Sequence, residues 1–537
     1  MINTFFKTFK KKSLTLGVFF AFSIASAMEN EHELKKQNQE ESIFDFIFLN
    51  QGIAFKIFSA LPSFDIVNFT MTHKIKKVIS EMACQVCSER PLSIGNQYIS
   101  DNIFYGIERG CFQGIKRLKI FHATFDPHML RKIPQTLVEL SHDRSENWYE
   151  PFDSSVFVGE LSYALLRLKN LQKLSLPGNQ IGPHELAVIV QSLRSRNAID
   201  GIFQISIIED LNLSHNPIEE AGALLLSQLQ GITQLNLCLT HILAAGAAHI
   251  AQIQGIKDLN LDVNALGDAG GAHIAHMQGI LKLSLVNDSI EENGAAQIAH
   301  MQGLTELNLA YNSIGSNGAK SIAQMRGLLK LNIANNLISE TGAGYIAQME
   351  GLTELDLSGN QIKEIGAAQI AQMQGILTLN LQRNGISEMG TISISTMKGI
   401  TDLNLARNKI GNMGTIHIAR MHGIRSLYLA NNNIGWFGAW VISKMKGLKK
   451  LDLRSNQIKD AGAKHIARMS GLVTLDLRDN CISNAGALFI AQMKGLGVLD
   501  ISYNALDDTG IQQIVQMREH TNLNLIVDPQ QLYHCFY

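Results

Sequence analysis

Twelve glycines, Gly231, Gly255, Gly279, Gly303, Gly327, Gly351, Gly375, Gly399, Gly423, Gly447, Gly471 and Gly495, stand 24 residues apart without a slip. A period that strict constrains the fold more than any other feature. A module of two dozen residues cannot bury its own apolar face, whereas near-identical modules bury one another's by stacking. The 537 residues can therefore form one extended body rather than several globules. In the unit Gly303–Arg326, GLTELNLAYNSIGSNGAKSIAQMR, Leu307 and Leu309 alternate as strand residues facing inward. Ala319, Ile322, Ala323 and Met325 follow on one helical face. Each unit reads as strand, turn, helix. Gly318 and its counterparts open the helical half, where glycine implies close packing or a backbone angle that other residues avoid. Apolar residues make up 46% and aromatics only 7%, so the core is aliphatic. The recurrent methionines (277, 301, 325 and onward) fit as packing filler. Strands about 4.8 Å apart would give the twelve copies roughly 60 Å of parallel sheet.

Leu304, Leu307, Leu309, Asn312 and Ile314 spell L-x-x-L-x-L-x-x-N-x-I. The pattern resembles the leucine-rich-repeat family, and the GAxxIAxM half is similar to its ribonuclease-inhibitor-like type, over residues 114 to 525. The resemblance implies an α/β solenoid, a horseshoe with a parallel sheet on the concave face and helices on the convex one. It also implies that the matching asparagines hydrogen-bond the turn backbone as a ladder: Asn216, Asn264, Asn312, Asn336, Asn360, Asn384, Asn408, Asn432, Asn456, Asn480 and Asn504, with Thr240 and Asp288 substituting. Such a buried polar row is structural rather than catalytic. The expected organisation is a signal peptide at 1–27, a charged segment at 28–45, an F-box-like helical motif at 46–90, degenerate repeats at 91–206, regular repeats at 207–518, and a strand and cap at 519–537.

In this family the outward strand residues project onto the concave face. The residue between the two strand leucines runs from Asn212 and Asn236 to Tyr428, Asp452, Asp476 and Asp500. Beside it stand Asp258, Lys282, Glu306, Lys330, Glu354 and Asp402. A polar concavity with spaced Tyr and Arg suits a protein ligand, because these types dominate interface hot spots. The candidate partner-binding residues are Tyr311, Arg383, Arg407, Tyr428, Arg454, Arg478 and Tyr503. Trp436, Phe437 and Trp440 break the pattern of their own repeat, either as a second contact patch or as a packing irregularity. The paired His249/His273 and His276/His300 read as solvated helix-surface residues rather than metal ligands.

At the N-terminus, Lys7, Lys10, Lys11 and Lys12 precede the apolar run Leu14–Ile24 and the small-x-small Ala25-Ser26-Ala27. This has the layout of a secretory signal peptide cleaved after Ala27. No later stretch reaches the ~18 uninterrupted apolar residues of a membrane span. Then Ile53, Lys56, Ile57, Phe58, Leu61, Pro62, Asp65, Ile66, Val67, Phe69 and His73-Lys74 resemble the F-box. The Leu-Pro that usually opens that pattern stands here as Leu49-Asn50. The resemblance implies that Ile57, Phe58, Leu61 and Pro62 dock on the adaptor subunit of a cullin-type ubiquitin ligase, with the repeats holding a substrate.

A signal peptide leads out of the compartment where such ligases work. Two resolutions stand: a secreted effector of a bacterium living inside eukaryotic cells, delivered to the host, or a periplasmic or surface binding protein. A GTPase-activating regulator, which repeats of this type also build in the Ran system, is a third reading, for which no distinctive rim arginine appears. The formal net charge of −1 leaves no basic excess for nucleic acid. Cys84-x-x-Cys87 lacks the second pair a zinc site needs, and the other cysteines (Cys111, Cys238, Cys481, Cys535) follow no framework. No phosphate loop, nucleophile triad or HExxH motif is present. The chain reads as a monomeric binding protein without catalysis or cofactor.

Overall fold

The computed structural model describes residues 92–94, 116–121, 127–145, 152–195, 208–516 and 523–527. The expected signal peptide, the segment 28–45 and the F-box-like residues Ile57, Phe58, Leu61 and Pro62 lie outside them. The chain divides into two compact units, with the break between Pro217 and Ile218.

In the first unit five described strands, Leu92–Ile94, Arg117–Phe121, Glu139–Asp143, Lys173–Ser175 and Asp210–Asn212, pair in parallel in chain order. A 3₁₀ helix, Pro127–Lys132, and the helices Ser154–Arg167 and Pro183–Ser195 connect them. The helix Ser154–Arg167 starts on Asp153, whose carboxylate accepts from the Ser155 and Val156 amides, the expected N-cap for orphan N–H groups. Buried Glu160 is held by Arg131, whose Nη2 lies 2.7 Å from Oε1, and by His128. The Arg131 contact keeps its carboxyl below the usual range.

The second unit is an open solenoid. Its described strands run from Gln234–Asn236 to Asn524–Ile526. Successive strands pair in parallel with a register offset of one repeat, so Leu283, Leu307, Leu331 and Leu355 stack directly. Leu307 and Leu309 are 2% and 0% exposed. The helix contributes Ala319 and Ile322 to the same core, and Met325 follows from the turn after it. Gly318 is helical, and an added Cβ would lie 2.9 Å from Ile314 Cβ and 3.2 Å from Ala295 Cβ. Of the two sequence-based explanations, close packing therefore holds here. By contrast Gly303, one of the phase-setting glycines, has φ +85°, a left-handed angle that favours glycine. Helices pack 8–10 Å apart and strands about 4.8 Å, so the stack bends with its strands inside. Among the described residues no helix is long and apolar enough to cross a membrane.

The ladder is built as expected. Asn360 Oδ1 accepts from the Asn336 and Ile338 amides, both at 3.0 Å, while Nδ2 donates to the Ile333 and Leu357 carbonyls at 3.0 and 2.9 Å. A second ladder was not legible from composition. The residue before each ladder asparagine is left-handed, as at Tyr311 (φ 57°), Arg383 (φ 55°) and Arg407 (φ 55°). Its amide donates to the next repeat, as from Tyr311 to the Ala334 carbonyl at 2.8 Å.

From Gly267 onward the structural period is two repeats. Left-handed backbone falls at 315, 363, 411 and 459 in one set and at 289, 337, 385, 433 and 481 in the alternate set. The first set has eight-residue helices such as Gly411–Ile418, the second seven-residue helices such as Trp436–Ile442. Polar residues of the first set cap the following helix in the second. Asp460 Oδ1 accepts from the Ser483 and Gly486 amides at 2.7 and 3.0 Å, and Asn412 Oδ1 from those of Gly435 and Gly438 at 2.8 and 3.0 Å. Helix capping thus passes between repeats and ties neighbours together.

Asp288 tests the ladder's chemistry. One carboxylate oxygen accepts from the Asn264 amide at 2.7 Å, and the other is buried without a partner. Other repeats place an amide donor there. Burial, the largest cause, pushes the Asp288 carboxyl up to about 7. Because the folded value exceeds the unfolded one, the contribution is complete below about pH 4 and is lost as pH rises through about 7. Asp288→Asn should stabilise the protein, and its advantage should be larger at pH 8 than at pH 5 by about 2–3 kcal/mol. Urea unfolding at the two pH values measures it; an advantage independent of pH refutes the assignment.

Candidate protein-binding face

Along the solenoid's strand face, Asp258, Lys282, Glu306, Lys330 and Glu354 occupy one column in register. The two-repeat period sets opposite charges side by side. Lys282 Nζ lies 2.9 Å from Glu306 and Lys330 Nζ 3.0 Å from Glu354. Glu354 and then Glu306 raise the Lys330 pKa. These pairs are half exposed and worth little stability, but they neutralise one another before any partner arrives.

The neighbouring column holds the residues between the strand leucines. These are half-buried rather than a free spine, because most cap their own turn. Asn308, Asn332, Asp356, Asn380 and Asn404 each accept, through the side-chain oxygen, from the amide two residues on at 2.8–3.2 Å. Asp or Asn suits this Asx-turn geometry. Where Ser284 stands instead, Asp262 takes over and accepts from the Val286 amide at 2.8 Å and the Ser284 hydroxyl at 2.6 Å.

Between these columns runs an open trough of about 660 Å³, lined by eight strands from Asp258 to Tyr428. Five carboxylates line it (Asp258, Glu306, Glu354, Asp356, Asp402) against two lysines (Lys282, Lys330). The floor is therefore acidic, and the lysines are already paired.

The structure divides the sequence-based candidates. Tyr428 lines the end of the trough. Arg383 and Arg407 occupy the exposed left-handed column of adjacent repeats, and among the described residues neither is in an ion pair. Tyr311 and Tyr503 share that column, 59% and 47% exposed. Arg454 and Arg478 are spent within the chain. Arg454 Nε lies 3.3 Å from Asp452, and Arg478 joins Asp476 at 2.8 Å to Asp500 at 3.1 Å. What the residue-by-residue reading missed is the trough itself, whose signal was the Lys/Glu alternation at a spacing of one repeat.

Among the described residues no group of three or more His, Cys, Asp or Glu side chains is arranged to hold a metal ion. The Cys238 thiol is half-buried, and burial pushes it up to about 11, the direction of an inert thiol.

The family model described as Leucine rich repeat matches residues 302–362, 326–386, 374–434 and 446–506. These segments are leucine-rich repeats. No curated protein matches the chain. Among solved structures, an internalin from Listeria monocytogenes is similar at 18% identity over 68% of this chain and 83% of its own, with a TM-score of 0.33. The plant peptide hormone receptor RGFR1 in complex with RGF2 is similar at 14% identity over 78% and 75%, with a TM-score of 0.32. A TDR receptor is similar at 12% identity over 84% and 86%, with a TM-score of 0.37.

Arg478 bridges two stacked carboxylates, Asp476 and Asp500, one strand on from Asp452, which pairs with Arg454. Burial, the largest cause, and then Asp476 raise the Asp452 pKa. Arg478→Ala should cost about 1–2 kcal/mol at pH 8, and less as pH falls and Asp452 takes up a proton. Denaturant unfolding across that range reads the effect; a pH-independent loss would show that the arginine acts only by packing.

Proposed function

We propose that this protein is an interaction scaffold whose strand face binds a protein ligand. The observation that carries the reading is the polarised trough, an acidic floor in the same strand face as Arg383 and Arg407, whose guanidinium groups form no ion pair among the described residues. A partner segment presenting basic side chains to the acidic floor and an acidic side chain to the arginine rim complements it. Tyr428 at the trough end and Tyr311 on the rim supply rigid aromatic contact area of the kind that dominates interface energetics. The scaffold performs no chemistry itself. With a purified ligand, Tyr428→Ala and the pair Arg383→Ala/Arg407→Ala should each weaken binding about tenfold or more. Lys320→Ala, on the helix face, should leave it unchanged. Calorimetric titration reads the difference, and equal affinity in all four proteins would remove the strand face as the binding site.

The pattern Ile57-Phe58-x-x-Leu61-Pro62 supports a more specific role. In it the segment 46–90 docks on the adaptor subunit of a cullin-type ubiquitin ligase and the repeats present the substrate. The layout of residues 1–27 supports export, which joins the two features as a secreted effector acting in a host cell. A recombinant adaptor subunit should bind the full chain, and Phe58→Ala should abolish that binding in a pull-down. If the adaptor fails to bind the parent chain, the reading reverts to a periplasmic or surface ligand-binding protein.

A further inference from the structure

The near-identical repeats supply their own internal control. Equivalent positions share one backbone, so a column that changes character over a few consecutive repeats has changed for a reason outside the fold. On the helix face, the residue before the helical glycine is Asn293, Asn317 and Thr341, then Ile365, Met389, Met413 and Phe437, then Ala461 and Ala485. Three positions on, the column is Lys320, Gly344 and Ala368, then Ile392, Ile416 and Trp440, then Lys464 and Leu488. These apolar groups are not core. Met389 is 60% exposed, Met413 54%, Trp436 52% and Trp440 38%. Phe437 ties the aromatics together, its ring centroid 6.0 Å from Trp436 and 5.5 Å from Trp440.

A second column changes over almost the same window. The residue just past each helix is Gln324, Gln348, Gln372 and Thr396, then Arg420, Lys444 and Arg468, then Gln492. All three cations are exposed, and the Lys444 ammonium sits 5.5 Å from the Trp440 ring centroid, so charge and aromatic surface form one patch. Over residues 411–422, 435–446 and 459–470 there are six Lys and Arg (Arg420, Lys444, Lys446, Lys459, Lys464, Arg468) and one acid, Asp460. The Asp460 carboxylate is occupied capping the following helix. His465, beside Arg468, Lys444 and Lys464, has its pKa lowered by burial and then by these cations.

We propose that this helix-face patch, centred on Trp436, Phe437 and Trp440 and bordered by Arg420, Lys444 and Arg468, binds the surface of a membrane carrying anionic lipids. The occupant must accept projecting apolar side chains and a row of cations at once. A second copy meeting the same patch across a two-fold axis would set six cations against six. An anionic bilayer surface takes both. Trp and Phe enter the headgroup–acyl boundary, where indole rings favour the interface. Lys and Arg stay at the lipid phosphates, each contributing through the negative surface potential. The helices lie on the outside of the bend, which leaves the strand face open for its ligand while the opposite face is docked. This inference is independent of the one for the strand face.

The test is co-sedimentation of the full chain with vesicles of phosphatidylcholine alone and of phosphatidylcholine with about one-third phosphatidylserine. The parent chain should bind the anionic vesicles, and binding should fall steeply with salt. Trp436→Ala/Trp440→Ala should weaken it at least about tenfold. Arg420→Glu/Lys444→Glu/Arg468→Glu should weaken it on the order of a hundredfold. All substituted side chains are exposed, and circular dichroism should show unchanged melting. Equal binding to neutral vesicles, no binding by the parent, or variants that bind as the parent does would each overturn the proposal. So would a solution dimer, seen by sedimentation velocity, that the Trp pair abolishes.

Discussion

The second unit rests on one interaction: an asparagine amide at the end of each strand that satisfies backbone groups no water can reach. A turn out of a parallel sheet leaves N–H and C=O groups without ladder partners, and a dry unsatisfied group costs roughly 1–3 kcal/mol. Asn360 alone meets two amides and two carbonyls. A side chain with an acceptor and two donors on one planar head is what the site demands. Thr240 copes by donating its hydroxyl to the Leu237 carbonyl at 2.6 Å. Asp288 copes less well, since it brings a second acceptor where a donor is needed. Every strand's position, and so the outward face of the sheet, depends on that row.

The ladder also explains why the binding face has the composition it has. Asn and Asp between the strand leucines look like recognition groups in the sequence, yet most of their side-chain oxygens already serve the chain's own turns. Beyond these turns the outward face offers Tyr428 at the trough end and the exposed Arg383 and Arg407. Arg454 and Arg478, of the same residue type, are spent on neighbouring aspartates. Charge in a parallel stack is shared between repeats, because equivalent residues lie one strand apart. A residue's availability therefore depends on what stands 24 positions away.

Much of this was readable in advance. The strand–turn–helix unit, the inward leucines, the asparagine row and the filler role of the methionines all follow from a spacing that repeats too faithfully to mean anything else. The two-repeat period leaves a partial trace in the sequence, with Ser339, Ser387 and Ser483 falling between Gly315, Lys363, Gly411 and Lys459, a pattern that Gly435 interrupts. Repeat length and leucine spacing do not mark it, because both versions keep the same length and the same leucines. The left-handed residue before each ladder asparagine was hidden for another reason. It is His, Val, Tyr, Asn, Gly, Arg, Ser or Asp in different repeats, so no residue type marks it; inter-repeat hydrogen bonds impose the angle.

The sequence by itself determined what stacks and in which order, since periodic apolar burial needs only the identity and spacing of side chains. The tertiary structure alone decided which polar groups remain available. Whether Arg407 or Arg478 enters an ion pair, or whether the carboxylates of four different strands converge on one trough, depends on distances across neighbouring repeats. Those distances arise from hydrogen-bonded register and from the bend that wide helices force on narrow strands. They are properties of the stack, and no single repeat contains them.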